Sequence, residues 1–369
     1  MAELTEQRTC ATGTDRPLQT QPPPPSSVPP HVWVWRRVKR YAPGLLALAV
    51  VGYAALLSSS YLTGLQYVPV AILLGAFVSN TFGVHPSLEK GISTYELWLK
   101  TGIVLLGSQV ALDSLGVFWL KALPLAAATV LFGVFVVLAI SRCLSLPPNL
   151  AALLAAGTGI CGVSAVLHTA DELGAEEEEI EYAVGAVLVL GAAAILLYPL
   201  VGRVLGLPEH VYGLWTGLSV NNTAESVATG YTYQTGIVAG SIAIAAKLCR
   251  VVMLGPVVAL FAARERRSDR DRRPVQRRHL WDRLPKFVFG FFAFSLLAGG
   301  GLISDGERES LRNLSSWLFL IAFAGIGFKL RWSDIRGVGP RPLLAIGLGS
   351  LALALVTLAA SMLLAGMMF

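Results

Sequence analysis

The sequence has few charged residues and few cysteines for its length. Charged side chains make up 14% of its 369 residues, well below the roughly 25% of an average soluble domain, and apolar residues make up 54%. This balance excludes an ordinary soluble globular protein. The four cysteines are scattered, and no pair has the spacing of a metal site or a redox motif. The sequence therefore predicts neither a bound metal nor a disulfide framework.

The motifs of common enzymes and nucleic-acid-binding proteins are lacking as well. The chain has no Ser-His-Asp, zinc-site or phosphate-loop spacing, so we expect no enzymatic activity and no cofactor. The net charge of +6 comes mostly from short loops between apolar runs. That pattern is typical of membrane topology and not of nucleic-acid binding, which leaves a polytopic membrane protein as the expected class.

The first thirty residues differ from the rest of the chain. They are polar, contain the proline runs Pro22–Pro25 and Pro29–Pro30, and lack the apolar core of a cleaved signal peptide. We interpret residues 1–40 as a disordered cytoplasmic N-terminal tail. Residues 41–369 then form a transmembrane domain.

Apolar runs long enough to cross a membrane recur through that domain, and together they predict an all-α fold with about eleven transmembrane helices. The segments are 43–61, 66–83, 96–113, 118–140, 149–171, 178–201, 209–230, 235–262, 284–302, 313–330 and 341–368.

Basic residues cluster in alternate loops between these segments. Four precede the first segment within residues 36–40, and the long basic loop 263–286 follows the eighth. By the positive-inside rule the N-terminus is cytoplasmic and the C-terminus lies outside. In this scheme Arg142 and Arg203 are cytoplasmic, and the acidic stretch 171–181 is on the opposite side.

Three glycines interrupt the fifth segment. Gly157, Gly159 and Gly162 lie within six positions, and each costs a helix roughly 1 kcal/mol relative to alanine. We interpret the stretch as a helix broken inside the membrane, a feature that forms the binding sites of secondary transporters. The alternative is that the glycines only let another helix pack closely. The polar side chains beside the bare backbone, which favour a site, are Thr158, Cys161 and Ser164.

The seventh segment is interrupted by six polar residues within eight positions. Polar groups at this depth normally face the interior of a helix bundle or a water-filled pathway and mark function. The alternative is that they only hydrogen-bond neighbouring helices, at about 0.6 kcal/mol per bond. These residues are Ser219, Asn221, Asn222, Thr223, Glu225 and Ser226.

Two cations lie within the eighth segment. Lys247 and Arg250 are three residues apart and share one face of a helix. Because two buried cations need an anion, we expect their partner to be Glu225 or a bound substrate, and a guanidinium suits an oxyanion well. The alternative is that both side chains reach the cytoplasmic boundary. That boundary is roughly 18 Å away at 1.5 Å per residue, which is too far.

A short internal similarity links the third and tenth segments. Measured from Asp113 and Asp334, a glycine follows after three residues and a leucine after ten in both. The two segments run in opposite directions in the predicted topology, so the copies would be inverted, as in many transporters. Eleven segments then divide into one extra helix and two inverted five-helix repeats, in which the interrupted fifth segment corresponds to the tenth.

Four motifs are distinctive in combination: Leu105-Leu-Gly107, Ala156-Gly-Thr-Gly-Ile-Cys-Gly-Val-Ser-Ala165, Ala246-Lys-Leu-Cys-Arg-Val-Val-Met-Leu-Gly-Pro256 and Gly325-Ile-Gly-Phe-Lys-Leu330. Together they resemble the YeiH-type family of bacterial and archaeal inner-membrane proteins, which are regarded as sulfate exporters. The resemblance covers most of the chain after residue 40. It implies the fold of the bile-acid-symporter-like transporters, with inverted five-helix repeats and interrupted helices at the core, and a location in the inner membrane.

The chain departs from that family at one place. Members usually have His-Asp or His-Glu followed shortly by Gln, whereas this chain has Asn221-Asn222 and then Glu225. A titratable pair is replaced by amides, and an acid follows three residues later. This departure puts the family's ion coupling and its substrate in doubt for this chain.

The sequence and the resemblance together predict a secondary active transporter that exports a small anion, such as sulfate or an organic sulfonate or carboxylate. The expected partners are that anion, a coupling proton or sodium ion at Glu225, and membrane lipid, with a homodimer as an open alternative. An anion channel and a non-transporting membrane scaffold or sensor are the competing functions. The residues expected to bind the substrate are Gly157, Thr158, Gly159, Cys161, Gly162, Ser164, Asn221, Asn222, Thr223, Ser226, Lys247 and Arg250.

Overall fold

The computed structural model describes residues 30–61, 67–109, 112–268, 286–331 and 339–368. By its internal contacts the chain divides into two units, residues 1–39 and residues 40–369. All regular structure in the described ranges is helical, which confirms the predicted all-α fold. Nearly all of the predicted tail and most of the predicted basic loop lie outside the described residues.

The helices of the described residues, in chain order, are α1 Pro30–Tyr61, α2 Tyr67–Phe82, α3 Pro86–Ile92, α4 Tyr95–Leu106, α5 Leu112–Cys143, α6 Pro148–Gly159, α7 Val163–Leu173, α8 Glu177–Val204, α9 Glu209–Ser219, α10 Thr223–Tyr231, α11 Ile237–Val252, α12 Leu254–Ser268, α13 Phe287–Gly299, α14 Asp305–Lys329 and α15 Pro340–Met368. A short 3-10 helix, Gly107–Gln109, follows α4.

Six helical stretches among the described residues are long and apolar enough to cross a membrane. They lie in α1, α5, α8, the consecutive helices α11 and α12, α14 and α15. Helices α2 and α13 are apolar but shorter, with 16 and 13 residues. The chain is therefore a helical membrane protein, whereas the total of about eleven crossings stays a prediction.

Helices α9 and α10, which fill the predicted seventh segment, fold back on each other. The hydroxyl of Tyr212 donates to the carbonyl of Thr229 at 3.2 Å, and the hydroxyl of Ser226 donates to the carbonyl of Thr216 at 3.0 Å. Along a straight helix, residues 17 positions apart would be separated by about 25 Å. The segment is therefore a helical hairpin, here called the second hairpin.

Helices α6 and α7, which fill the predicted fifth segment, also form a hairpin, here called the first hairpin. A β-carbon added to Gly157 would lie 2.9 Å from Cγ2 of Val166, nine residues later, and 2.8 Å from Cγ2 of Val187 in α8. A straight helix would separate the first pair by about 13 Å. The interruption predicted from the glycines is present, since the helix ends at Gly159 and restarts at Val163, but its two halves lie side by side.

The hairpins correct the predicted topology. A hairpin returns its chain to the side from which it entered, so neither segment counts as a crossing. The acidic stretch 171–181 therefore shares a side with Arg142, and Arg203, at the far end of the long helix α8, lies on the opposite side. Both placements differ from the expectation from the sequence, which counted each interrupted segment as one crossing. Removing two crossings from the predicted eleven leaves an odd number. The placement of the two termini on opposite sides of the membrane therefore stays a prediction.

The predicted inverted repeat falls partly outside the described residues, which omit 110–111 and 332–338. The tenth segment, which was aligned with the interrupted fifth, is a continuous part of α14. The structure instead offers the second hairpin as the counterpart of the first. The five-helix repeat itself stays a prediction.

The two hairpins are held by different kinds of packing. Helix α6 is apolar all round, and every residue from Leu150 to Gly159 is buried, which is typical of a helix surrounded by others. The base of the second hairpin is an aromatic cluster, in which Tyr212 stacks on Tyr233 with ring centroids 3.9 Å apart and Tyr198 stacks on Trp215 at 4.3 Å. Such pairs contribute about 0.5–1.5 kcal/mol each beyond their buried area. Both hairpins are therefore closely packed within the bundle.

The hairpin topology can be tested with single cysteines in a variant that lacks the other native cysteines. We expect native Cys143, which is exposed, and Glu178→Cys to react with a membrane-impermeant maleimide from the same side of the membrane. The matched control is Leu205→Cys at the other end of α8, which should react from the opposite side. Labelling of Cys143 and Glu178→Cys from opposite sides would contradict the first hairpin.

Candidate functional site

The tips of the two hairpins meet at Gly162 and Asn222. Gly162 has a φ of 71°, in the left-handed region that favours glycine. A β-carbon there would lie 2.5 Å from Cβ and 2.6 Å from Cα of Asn222, closer than carbon atoms can pack. Glycine is therefore required at this position both by the backbone conformation and by the approach of the second hairpin.

The C-terminal ends of α6 and α9 leave backbone carbonyls without helical partners at this meeting point. Arg250 of α11 binds carbonyls from both ends. Its Nη2 lies 2.7 Å from the oxygen of Thr158 and 2.8 Å from that of Gly159, and its Nε lies 3.3 Å from the oxygen of Gly159. Its Nη1 lies 2.5 Å from the oxygen of Leu218 and 3.2 Å from that of Val220. All five N–H donors of a guanidinium are used.

Lys247 completes this arrangement one turn earlier on α11. Its ammonium donates to the carbonyls of Val220 and Asn221, both at 2.6 Å. Lys247 and Arg250 are each 0% exposed, so the alternative that they reach the membrane boundary is wrong. Their positive charges face the negative, C-terminal ends of α6 and α9, which is the favourable orientation for a helix dipole.

The partners of these two cations correct the expectation from the sequence. We expected Glu225 or a bound substrate, but the direct partners are backbone carbonyls. A carbonyl that is buried without a partner costs about 1–3 kcal/mol, and the tips of two membrane hairpins expose several at once. This need could not be predicted from the sequence, because the carbonyls come from parts of the chain that are remote from α11.

A cavity of about 480 Å³ lies beside the hairpin tips. The N-terminal residues of both returning helices line it: Val163 and Ser164 from α7, and Thr223 and Ala224 from α10. The first N–H groups of a helix lack helical partners and carry a partial positive charge. In α10 one of them, that of Thr223, is capped by Oδ1 of Asn222 at 3.0 Å.

Charged and titratable side chains also line the cavity. Lys100 and Glu96 of α4 form an ion pair at 2.8 Å, and Lys329 of α14 and His168 of α7 complete the set. Lys100, Glu96 and Lys329 were not predicted as site residues, and His168 was not assigned to the site. One signal was available, since Lys329 falls within the Gly325–Leu330 motif, but nothing in the sequence placed that motif near the hairpins.

Four of the predicted substrate-binding residues line the cavity, and Gly162 forms the tip beside it. The four are Cys161, Ser164, Asn222 and Thr223.

The other predicted residues lie behind the cavity and stabilise the hairpins. Thr158 donates to the carbonyl of Leu154 at 2.9 Å within α6, and Asn221 donates to the hydroxyl of Ser350 in α15 at 3.0 Å. The remaining members of this group, which pack or hydrogen-bond within the hairpins, are Gly157, Gly159 and Ser226.

Glu225 is buried at the first turn of α10, with 2% of its surface exposed. Its Oε2 atom has no hydrogen-bond partner among the described residues. On one side the carboxyl group packs against Gly191 of α8, where an added β-carbon would lie 2.9 Å from Cδ. The acid is therefore held close to the tips without a direct ion pair in this part of the structure.

No group of three or more His, Cys, Asp or Glu side chains in the described ranges could hold a metal ion.

Comparisons with known proteins identify the family. The family model of conserved hypothetical protein 698 matches residues 43–346. A UPF0324 membrane protein of Nitratidesulfovibrio vulgaris is 32% identical over 321 residues, which cover 82% of this chain and 88% of the relative. Those of Corynebacterium glutamicum and Agrobacterium fabrum are 29% and 30% identical over 350 and 330 residues, covering 92% and 85% of this chain and 96% and 91% of the relatives.

No solved structure matches the chain. The family match spans the bundle from α1 to α15 and includes both hairpins and the cavity. The chain therefore belongs to the family of conserved hypothetical protein 698, the UPF0324 membrane proteins, which confirms the resemblance to the YeiH-type family seen in its motifs.

Proposed function

We propose that the protein is a secondary active transporter of the cell inner membrane that exports a small anion, such as sulfate or an organic sulfonate or carboxylate. The observation that carries this proposal is the meeting of two hairpin tips, which enter from opposite sides, beside a cavity. Interrupted helices of this kind form the substrate sites of secondary transporters because their ends present unpaired backbone groups to a solute.

The distribution of charge at the tips supports an anionic solute. Four helix ends meet there, two negative and two positive. Lys247 and Arg250 cover the negative ends of α6 and α9, whereas the positive ends of α7 and α10 border the cavity. A helix N-terminus binds sulfate, phosphate or carboxylate through its free N–H groups and its dipole. Lys329 adds positive charge at the cavity wall, where Lys100 is paired with Glu96.

In this proposal Lys247 and Arg250 position the site instead of contacting the anion. All five donors of Arg250 are used by carbonyls, so none is left for a solute. Lys247 has three N–H donors, and two of them bind carbonyls. Direct contacts to the anion come from the tip residues that line the cavity, with Ser164 and Thr223 as hydroxyl donors.

Glu225 is the proposed site of the coupling ion, a proton or sodium. It is an ionisable group deep in the bundle, and such groups normally mark ion pathways in membrane proteins. A channel is the less favoured function, because it needs a continuous polar path and the polar residues described above cluster at the tips. Saturable flux driven by an ion gradient, in place of conductance, would separate the two. A scaffold or sensor that does not transport predicts no flux at all.

The first prediction concerns anion binding by the purified protein. Sulfate, methanesulfonate or acetate at 100 times its dissociation constant should raise the free energy of unfolding by about 2.7 kcal/mol and raise Tm by several degrees. Matched chloride salts at equal ionic strength are the control. Equal Tm values in all of these anions would contradict an oxyanion site.

The second prediction concerns the contact between the hairpin tips. Gly162→Ala places a methyl group against Asn222 and should lower stability by about 1–3 kcal/mol, as overpacking does, and abolish stabilisation by sulfate. Gly174→Ala is the matched control, because Gly174 also has a positive φ, of 60°, but a β-carbon there meets nothing within 4 Å. If both variants kept the response to sulfate, the tip contact would have no role in binding.

The third prediction concerns Arg250. Arg250→Gln leaves several buried carbonyls unpaired at about 1–3 kcal/mol each, so we expect Tm to fall strongly and transport into proteoliposomes to stop. Arg250→Lys keeps the charge with three donors in place of five, and its Tm should lie between those of the native protein and Arg250→Gln. Arg203→Gln, at an exposed position, is the control. An Arg250→Gln variant with normal Tm and lost sulfate binding would instead make Arg250 a direct ligand.

A further inference from the structure

The buried carboxyl group of Glu225 lies directly behind the cavity wall. Its helix, α10, begins at Thr223, and the residues that precede Glu225 in that first turn, Asn222 to Ala224, line the cavity. Glu225 itself is not among the lining residues and is 2% exposed. A charge on this carboxyl group would therefore act on a bound anion through one turn of helix, with little water between them.

Within the described residues the carboxyl group forms no ion pair, and its hydrogen bonds come from the side chain of Asn222 and from its own backbone N–H. The neighbouring helix α8 presents Gly191, which carries no side chain, to Cγ, Cδ and Oε1. Oε2 has no hydrogen-bond partner in the described residues. Lys247 of α11 is close enough to attract the carboxylate electrostatically, but the ammonium donates to the carbonyls of Val220 and Asn221.

Other titratable groups face the same region. Glu96 of α4 repels a negative charge on Glu225, and Glu225 in turn acts on the neighbouring phenol of Tyr95. The cavity wall adds Lys100, His168 and Lys329. Among these, His168 is the group whose ordinary titration overlaps neutral pH, so an experiment on pH dependence has to distinguish it from Glu225.

Burial with one carboxyl oxygen unpaired favours the neutral acid. An ionised carboxylate in a water-excluded site loses its hydration, and a partner must replace that loss or the group takes up a proton. In the structure the missing partner is at Oε2.

On the basis of the proposed function, we propose that Glu225 is a proton site whose protonation favours anion binding, so that one proton and one anion are carried together in the same direction. A sulfate ion and one proton carry a net negative charge, which an inside-negative membrane potential drives outwards. Ionised Glu225 would place a negative charge behind the positive end of α10 and repel the anion, whereas the protonated acid leaves that end available. Linkage is reciprocal, so a bound anion raises the proton affinity of Glu225 by the same factor. The proton comes from water on the loading side and leaves with the anion on the other side.

The test is calorimetric titration of the purified protein with sodium sulfate between pH 5 and pH 8, in two buffers that differ in ionisation enthalpy. At pH values at which Glu225 of the sulfate-free protein is ionised, we expect each bound sulfate to bring about one proton with it. In the same pH range the logarithm of the sulfate Kd should rise by about one for each pH unit. The variant Glu225→Gln keeps the shape of the side chain but cannot bind a proton. It should lose the proton uptake, and its sulfate Kd should no longer depend on pH. A thermal unfolding curve checks that the variant is folded.

Matched controls assign the proton. Glu209→Gln removes an acid from the other helix of the same hairpin, where Glu209 accepts from Thr235 at 2.7 Å, and should leave the slope unchanged. A slope that persists in Glu225→Gln and disappears in His168→Gln would assign the proton to His168 and overturn the proposal. Binding that requires sodium and not protons, compared in sodium and choline salts, would overturn it as well.

The same titration separates this proposal from the proposed function. Sulfate binding in the native protein that is independent of pH would overturn the coupling and leave the anion site in place. Absence of binding for sulfate, methanesulfonate and acetate at every pH would overturn the anion site and the coupling together. In proteoliposomes, Glu225→Gln should still exchange sulfate across the membrane, but a pH gradient should no longer drive its accumulation.

Discussion

The structure depends on how unpaired backbone carbonyls are satisfied where two helices end inside the membrane bundle. Lipid offers no hydrogen-bond donors, so a helix can stop at this depth only where protein or trapped water replaces the missing bonds. Arg250 does this for α6 and α9 together, with all five of its donors. One side chain therefore joins the tips of both hairpins, and Lys247 extends the same contact to Asn221.

This pairing determines which charged groups and helix ends remain available at the centre of the molecule. The cations are used at the negative helix ends, and the positive ends of α7 and α10 remain at the wall of the cavity. Arginine suits the role because its guanidinium is planar, always charged and able to donate to several carbonyls at once. The proposed anion site consists of the positive helix ends that this pairing leaves available. Glu225 lies behind α10, which is the position for a titratable group in the proposed coupling.

Particular residues show how far sequence reasoning extends. The glycines at 157, 159 and 162, the polar run from Ser219 to Ser226 and the pair Lys247 and Arg250 each stood out by residue type alone, and the structure brings all three groups to one place. The reversal of the chain at each interruption was missed. Periodicity and hydrophobicity are the same for a helix that continues after a break and for one that folds back, because both bury their backbone in the same way.

The amino-acid sequence alone determined that the chain is helical, lies in a membrane and belongs to its family, because these properties follow from local composition, from the length of apolar runs and from motifs. Tertiary structure decided which groups meet. The partners of Arg250 lie about 30 and 90 residues away along the chain and are backbone atoms that every residue possesses. No residue type marks them, so only the packing of the two hairpins against α11 could select them.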